Sequence, residues 1–445
     1  MACKGDTTEL LGEMPTENTP PVETPRGEVL PPAGGEETPV VVTPAGDTFA
    51  LLSEDALAQP EEARPYVRYV LASRGATALE SEQERLALLR LVNSVSLSPQ
   101  IVAPVPLSQP AAYRLDLRDY RWDRPVDVGG MTFSDGWEAI VERSGLALPP
   151  LFDERLAPLT GTTTAVLPAR AFLTAAASGL LYYALTNAPG FESELQERLA
   201  ARFPDPETEP VYNAAFGAGT RHGYQGVRRL LLPDGSAYWQ GLPSTPRGNS
   251  LFIDPFSFNS WETDAIYPLP NGLPAFFIDT PYSRTAPAPL TELRGSVDSP
   301  DQLVADCIAC HSSGPSRVED IFEEYLQDNR RDYDAETVEL FETRWPSPEE
   351  LDVVVDADRA AYERVLESAG LNPESAGALQ ALTRRYAGGL ELADMAAALH
   401  ASETQVRAVL PAGTTTIDAR TFLSQFRVLL CQIHPDASAA ADYCP

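Results

Sequence analysis

Apolar residues recur at helical spacing in much of the chain that follows residue 46. The clearest pair of segments, 63–74 and 80–93, predicts a helical hairpin. The alternating pattern A-Y-R-L-D-L-R-D-Y at 112–120 predicts a strand. Residues 47–210 are therefore expected to form a mostly helical N-terminal domain. Further helices in it are predicted at about 134–143, 168–185 and 192–203.

The hydrophobic period changes to two between residues 211 and 279. Two pairs of alternating segments flank turn sequences, Pro-Asp-Gly in the first pair and Pro-Asn-Gly-Leu in the second. Residues 211–295 are therefore predicted to be a β-hairpin region that packs on the C-terminal part of the chain. The paired segments are 228–232 with 236–240, and 265–269 with 274–278.

Helical spacing returns after residue 300 and continues almost to the end of the chain. The complete pattern predicts an α+β fold that is predominantly α-helical, with residues 296–445 as an all-helical C-terminal module. The predicted helices lie near residues 300–311, 317–328, 335–343, 348–369, 374–387, 389–400, 402–410 and 418–431.

Length and charge narrow the classes of protein to consider. A chain of 445 residues exceeds one ordinary core, so two or three packed units are expected. The net charge of −31 repels nucleic acid phosphates, which argues against a DNA- or RNA-binding role. The most apolar stretch, 171–185, is short and interrupted by polar residues, so it predicts a buried helix and not a membrane span.

Residues 1–46 differ in composition from the rest of the chain. They carry eight acids, two bases and no large apolar cluster, so they are expected to form a disordered tether. Cys3 follows Ala2 at the start of this tether, a pattern typical of mature bacterial lipoproteins, and it is the predicted lipidation site. An ordinary N-terminus with an incidental cysteine is the alternative interpretation.

Two further cysteines lie close together near the C-terminus. Cys431 and Cys444 enclose 12 residues, and this spacing allows a small disulfide loop in an oxidising compartment. Two unrelated thiols are the alternative.

One motif in the chain indicates specific chemistry. The segment D-C-I-A-C-H at 306–311 contains Cys-x-x-Cys-His, the attachment signature of c-type haem. In such a site the thiols of Cys307 and Cys310 add to the two vinyl groups of the porphyrin, and His311 becomes the proximal axial ligand of the iron. The predicted cofactor is one covalently bound haem c.

The surrounding residues are consistent with a helical motif. Ser299 and Pro300 are typical of a helix start, which would place the motif near the end of a helix. Two alternatives to haem are a zinc site and a thiol oxidoreductase. A zinc site would need a second pair of ligands at similar spacing, and a thiol oxidoreductase would place Cys-x-x-Cys in a parallel α/β unit.

The second axial ligand of the iron is harder to predict. His222 is the leading candidate, because it lies in the glycine-rich segment G-T-R-H-G-Y-Q-G, where backbone can approach a flat cofactor closely. An alternative is that the second axial position is vacant or filled by water. The other candidates are Met131, Met395, His400 and His434.

From about residue 64 to its end, the chain resembles an uncharacterised family of exported bacterial proteins with a single c-type haem motif in the C-terminal half. The resemblance implies export, a haem c and a helical, cytochrome c-like C-terminal module. One departure concerns Leu230 and Leu231, where the family tends to have a histidine. Besides the haem motif and the helical tail after Trp345, the matching blocks are R-P-Y-V-R-Y (64–69), L-V-N-S-V-S-L-S-P-Q-I-V (91–102), Y-R-L-D-L-R-D-Y-R-W (113–122), G-S-A-Y-W (235–239) and L-P-N-G-L-P-A-F-F-I (269–278).

These observations lead to one main functional hypothesis. The chain is expected to be a lipid-anchored monohaem cytochrome in the periplasm or at the cell surface, passing single electrons to a redox partner with a basic docking surface. The membrane would be contacted only through the lipid. The alternatives are a haem enzyme, such as a peroxidase or oxygenase with Arg221 and His222 as an acid–base pair, and a haem-based gas or redox sensor.

Overall fold

The fold was analysed in a computed structural model. It describes residues 45–73, 78–107, 112–147, 154–205, 209, 211–216, 224–244, 252–256, 263–279 and 303–435. Helices hold 52 % of the described residues and strands among them form two larger sheets, which confirms the α+β class. Most of the predicted tether, residues 1–44, lies outside the described residues. The first helix begins at Ala45, just inside the range predicted for the tether.

The secondary structure elements are numbered here in chain order. The helices are α1 (Ala45–Ala58), α2 (Ala78–Ser94), α3 (Gly136–Ser144), α4 (Ala157–Thr160), α5 (Ala169–Ala176), α6 (Gly179–Leu185), α7 (Glu192–Leu199), α8 (Leu303–Cys310), α9 (Phe322–Asn329), α10 (Ala335–Arg344), α11 (Pro348–Ser368), α12 (Pro373–Gly388), α13 (Leu392–Ala398), α14 (Glu403–Val409) and α15 (Ala419–Ile433). The strands are β1 (Val67–Leu71), β2 (Val105–Leu107), β3 (Ala112–Asp116), β4 (Val126–Val128), β5 (Met131–Phe133), β6 (Val166–Pro168), β7 (Asn213–Phe216), β8 (Tyr224–Leu231), β9 (Ala237–Ser244), β10 (Thr263–Pro268), β11 (Pro274–Asp279), β12 (Leu390–Glu391) and β13 (Thr416–Ile417).

The first half of the predicted helical hairpin is wrong, whereas the second half is confirmed as α2. Residues of the first half form β1, which pairs antiparallel with β3 and parallel with β6 in a four-stranded sheet ordered β2-β3-β1-β6. All five residues of β1 are buried. A strand covered on both faces shows no alternation of polar and apolar residues, so its pattern resembles that of a buried helix. The prediction of a mostly helical domain at 47–210 therefore did not include this four-stranded sheet.

The two predicted hairpins are confirmed in a five-stranded antiparallel sheet ordered β11-β10-β9-β8-β7. The turn between β8 and β9 places Gly235 at φ +83°, and the turn between β10 and β11 places Gly272 at φ +82°. Glycine enters this left-handed region without the steric cost that a Cβ brings. The turn sequences therefore set the register of both hairpins.

The helices predicted after residue 300 are present as α8 to α15, with shifted boundaries. The prediction of an all-helical C-terminal module is wrong in one detail. The segment predicted as a helix at 389–400 begins with β12, which pairs with β13. Gly388 is the last residue of α12 and Gly389 separates it from this strand, and glycine disfavours continuation of a helix. The predicted helix start at Ser299 lies outside the described residues.

The main hydrophobic core takes side chains from all three predicted domain ranges. Leu88 of α2, Phe277 of β11 and Leu379 of α12 belong to one continuous buried cluster. Helix α12 packs against α2, α5 and α8. The three ranges therefore share a core, and the boundaries proposed at 211 and 296 stay predictions.

Among the described helices, none combines the length and the hydropathy needed to cross a lipid bilayer. The apolar stretch at 171–185 is divided between α5 and α6.

A buried ion pair joins the N-terminal part of the fold to the C-terminal helices. Arg170 Nη1 of α5 lies 2.6 Å from Asp394 Oδ1 of α13, and the two side chains are 8 % and 3 % exposed. Glu84 of α2 is also buried, which raises the pKa of its carboxyl, while the charge of Arg170 lowers it. Removing the arginine would leave two buried acids without a cation.

We expect Arg170→Met to lower the free energy of unfolding by about 3 to 5 kcal/mol at neutral pH, because it leaves Asp394 buried and uncompensated. Chemical denaturation followed by circular dichroism measures this loss. Arg330→Met is the matched control, since Arg330 pairs with Glu342 on the surface, where the two side chains are 55 % and 53 % exposed. It should cost less than about 1 kcal/mol. If both variants lose the same free energy of unfolding, the buried ion pair of Arg170 stabilises the fold no more than a surface ion pair does.

Candidate functional site

The Cys-x-x-Cys-His motif lies at the C-terminal end of α8. Val304, Ala305 and Ile308 of this helix are buried in the main core, and α8 packs against α12 and α6. A helix of eight residues is too short to be stable alone, so these contacts determine its position. The placement of the motif near a helix end agrees with the prediction.

Polar contacts hold α8 against α12. The Asp306 carboxylate accepts a hydrogen bond of 2.8 Å from Gln380 Nε2. The same oxygen lies 2.9 Å from Arg384 Nη2. Because Asp306 directly precedes Cys307, these contacts fix the backbone at the start of the motif.

His311 continues the last turn of α8. Its backbone N–H donates to the Cys307 carbonyl at 2.9 Å. Its side chain is buried, and Nδ1 lies 3.1 Å from the carbonyl oxygen of Gly314. A carbonyl oxygen only accepts, so Nδ1 carries the proton and the neutral ring has its lone pair on Nε2. Gly314 has φ +95°, a conformation that glycine adopts without strain.

The surroundings of His311 keep its imidazole neutral. Burial lowers its pKa to about 4, although the hydrogen bond to Gly314 opposes this shift. The ring of Phe276, in β11, lies 5.8 Å away between centroids. A neutral, oriented imidazole is the form that binds a metal ion.

Two tyrosines of α6 support the same region. The hydroxyl oxygens of Tyr182 and Tyr183 accept hydrogen bonds from the backbone N–H groups of Phe276, at 2.9 Å, and Ile278, at 3.1 Å. Strand β11 is an edge of its sheet, so these hydroxyls satisfy donors that would otherwise lack partners inside the protein. Cys307 lies close enough to both tyrosines to raise their pKa values further, beyond the larger effect of burial.

The two motif cysteines differ in oxidation state. Cys307 is a free thiol, and burial, followed by the charge of Asp264, raises its pKa to about 12. Cys310 is disulfide-bonded. A thioether at Cys310 requires the reduced sulfur, so the oxidised form seen here and a doubly attached haem exclude each other.

Apart from this disulfide, the donor set fits a c-type haem. Cys307, Cys310 and His311 follow one another at i, i+3 and i+4 along α8 and its last turn, and the imidazole has its lone pair on Nε2. Within the part of the chain that the structure describes, no group of three or more His, Cys, Asp or Glu side chains could hold a metal ion.

The predicted distal ligand, His222, lies outside the described residues. Met131 is 59 % exposed at the start of β5, whereas Met395 is fully buried in the main core. His434 Nε2 lies 2.8 Å from the Leu399 carbonyl oxygen, so it is engaged in a hydrogen bond. The ring of His400 packs on another aromatic ring, at 5.2 Å between centroids. Each of these four alternative ligands is therefore exposed, buried in the core, or engaged in another contact.

The remaining predicted site residues are only partly described. Cys3 and Cys444 lie outside the described residues, so lipidation of Cys3 and the pairing of Cys444 stay predictions. Cys431, at the end of α15, is disulfide-bonded. The helix that carries Cys431, α15, packs with α12 and α14.

A cavity of about 780 Å³ adjoins the loop that follows His311. Gly314 and Pro315 line it, but the three motif residues do not. A half-buried acid in its lining, Asp358, accepts hydrogen bonds from Trp239 Nε1 at 2.9 Å and from Arg229 Nε at 2.9 Å. The cavity therefore adjoins the loop at Gly314 and not the motif residues themselves.

Sequence reasoning missed Gly314, Tyr362 and Arg90. Gly314 is the hydrogen-bond partner of His311, and Tyr362 packs against Gly314. Arg90 donates to the Tyr362 hydroxyl. The sequence did contain one signal, because Arg90 interrupts the apolar run L-A-L-L-R-L-V of α2.

Comparison with known proteins identified no relative: no protein-family model, curated protein or solved structure matches the chain.

His311 should make the stability of the chain depend on pH. Its folded-state pKa of about 4 lies below the ordinary value of 6.5, so between these values only the unfolded chain binds the proton. The stabilisation is present above pH 6.5 and is lost as the pH falls towards 4. We expect wild type to lose about 3 kcal/mol more than His311→Asn over this interval. Denaturation curves for both chains at several pH values measure the difference. Parallel pH profiles would contradict a buried, neutral His311.

Proposed function

We propose that this chain binds one haem c through Cys307, Cys310 and His311 and transfers single electrons. The observation that supports this most is the hydrogen bond from His311 Nδ1 to the Gly314 carbonyl, which leaves Nε2 as the donor for iron. A histidine in the core is more often a neutral packing residue, but this one directly follows two cysteines at the spacing that c-type attachment requires.

Haem c supplies a one-electron iron couple when it is bound. The residues of the chain would hold and surround it. Cys307 and Cys310 would each provide a thioether sulfur, and His311 would provide a nitrogen ligand to the iron. Phe276 would contribute to a water-poor environment, since it is buried beside His311.

The charge of the protein supports a basic redox partner. The chain has 64 acids and 33 bases, and several exposed acids lie on and beside α10 and α11. Such a surface attracts a partner with a basic docking face and repels nucleic acid. These exposed acids include Asp334, Glu336, Glu339, Glu342, Glu349 and Glu350.

For location we propose the periplasm or the cell surface, with a lipid on Cys3 as the membrane anchor. A disulfide at Cys431 is consistent with an oxidising compartment. Cys3→Ser would then abolish anchoring without affecting the haem.

Covalent attachment should depend on the motif cysteines. Wild type, produced with a haem-attachment system, should keep its haem after denaturation and give a c-type pyridine haemochrome spectrum. Cys307→Ala should retain at most one thioether bond, and the double variant Cys307→Ala, Cys310→Ala should lose covalent haem completely. Mass spectrometry of the intact chain measures the attached group.

Cys431→Ser is the matched control, because this cysteine lies outside the motif and should leave the haem content unchanged. A wild-type chain without covalent haem, with Cys310 still in its disulfide, would contradict the proposal. That result would instead favour a structural role for Cys310.

His222 is our proposed distal ligand, and its substitution should alter the iron spectrum. We expect His222→Ala to convert a low-spin ferric spectrum to a high-spin one and to allow CO binding to the reduced protein. Met395→Leu, a nearly isosteric core change, serves as the control. A wild type that is already high-spin and binds CO would reject His222 and favour a haem enzyme or sensor.

A further inference from the structure

The cavity of about 780 Å³ lies between two turns of the five-stranded sheet and helix α11. Its walls are the turn from β8 to β9, the turn from β10 to β11, and residues of α11. Small-molecule sites in proteins usually have volumes of about 300 to 1,000 Å³. The cavity is therefore large enough for an organic molecule with fused rings, and no residue of the Cys-x-x-Cys-His motif lines it.

Most of the lining is apolar, and much of it consists of rings. Trp239 is only 3 % exposed and Tyr267 only 6 % exposed, yet both line the cavity. Aromatic and proline rings offer flat apolar surfaces against which another ring can pack. Five prolines complete this part of the lining, namely Pro233, Pro268, Pro270, Pro274 and Pro315.

The walls are held in place before any ligand arrives. The Leu269 backbone N–H donates to the Leu273 carbonyl at 2.7 Å, which closes the turn between β10 and β11. Val365 of α11 packs on the same turn, since a Cβ on Gly272 would fall 3.0 Å from Val365 Cγ2. Proline residues have a fixed φ and add further rigidity. A ligand would therefore bind without the cost of ordering these segments.

The charges in the lining favour an uncharged ligand. Asp358 accepts from Arg229 through both oxygens, at 2.9 and 3.1 Å, so the guanidinium balances its charge. Asp234, the other acid in the lining, is exposed in the turn between β8 and β9. An anion would be repelled by Asp234, and a cation would find the charge of Asp358 already paired.

Tyr267 supplies the polar group that such a ligand could bind. Burial raises the pKa of its hydroxyl, which therefore keeps its proton. The hydroxyls of Tyr182, Tyr183 and Tyr238 all form hydrogen bonds within the fold, at 2.9, 3.1 and 2.9 Å. The Tyr267 hydroxyl forms none with the described residues. A polar group on a side chain this buried normally has a partner, and an oxygen atom of a bound molecule would be one.

We propose that this cavity binds an uncharged aromatic molecule that carries an oxygen substituent, as phenols and naphthols do. Its ring packs against Trp239 and the prolines, and its oxygen accepts a hydrogen bond from the Tyr267 hydroxyl. This site goes beyond the proposed function, and its test does not require haem.

The first experiment titrates 2-naphthol into the full-length chain and measures binding by calorimetry. Ala361→Phe should weaken binding at least about tenfold, because Ala361 lines the cavity and the added ring occupies its space. Ala357→Phe is the matched control. Ala357 is exposed on α11, as Ala361 is, but it does not line the cavity, so this variant should bind as wild type does.

The second experiment isolates the hydrogen bond by comparing 2-naphthol with naphthalene, which has the same rings and no oxygen. Tyr267→Phe should weaken the binding of 2-naphthol by about three- to tenfold, since the donor is lost. It should leave the affinity for naphthalene unchanged. Replacing tyrosine by phenylalanine keeps the ring that packs on Tyr238, at 6.1 Å between centroids, so the wall itself is retained.

Four results would overturn the inference. Absence of 2-naphthol binding by wild type at about 1 mM would show that the cavity is no site for this class of molecule. Equal effects of Ala357→Phe and Ala361→Phe would place the bound probe elsewhere. Equal losses for both probes in Tyr267→Phe would exclude the hydrogen bond. Tighter binding of 2-naphthoate or of 2-naphthylmethylammonium than of 2-naphthol would show that the site selects a charged ligand. None of these results bears on haem attachment, which the motif variants test separately.

Discussion

The packing of α12 against α2, α5 and α8 is the contact on which the candidate site depends. Helix α8 has eight residues and too few internal hydrogen bonds to persist alone. Its buried residues, Ala305 and Ile308, enter the core shared with α12, and Asp306 adds polar contacts to the same helix. A change that loosened α12 would therefore displace the motif without touching a cysteine or His311.

Helix α2 brings ionic chemistry into this core. Its buried residues include Glu84 and Arg90 beside apolar side chains such as Leu88. The Glu84 carboxylate accepts hydrogen bonds from the backbone N–H of Ser73, at 3.0 Å, and from its hydroxyl, and it is influenced by Arg170. The charge of Arg90 has no such compensation. The two buried charged residues of α2 therefore have different environments. Glu84 accepts hydrogen bonds and has a cation nearby, whereas Arg90, closer to the C-terminal end of the helix, contacts Tyr362.

Local patterns allowed much of the fold to be predicted from the sequence, but the contacts between distant residues could not be. The turn glycines Gly235 and Gly272 and the helices after residue 300 depend on neighbours in the chain. Strand β1 was misread because its partners, β3 and β6, bury both of its faces. The contact between Arg90 and Tyr362 joins residues 272 positions apart, and no pattern in either segment indicates the other.

A further contact between distant segments joins the stretches 91–102 and 269–278. Asn271 Nδ2 donates to the Asn93 carbonyl at 2.9 Å, so the block at 269–278 meets the block at 91–102. The Asn93 side chain also bonds the backbone of Val102 through both of its polar atoms. These residues hold loops together.

If haem attaches at the motif, attachment has to occur while Cys310 is reduced and Cys307 is accessible. In the folded chain burial raises the pKa of the Cys307 thiol, which suppresses the reactive thiolate. Attachment would therefore precede the closing of the core around α8, and the contacts among these blocks would form around the cofactor.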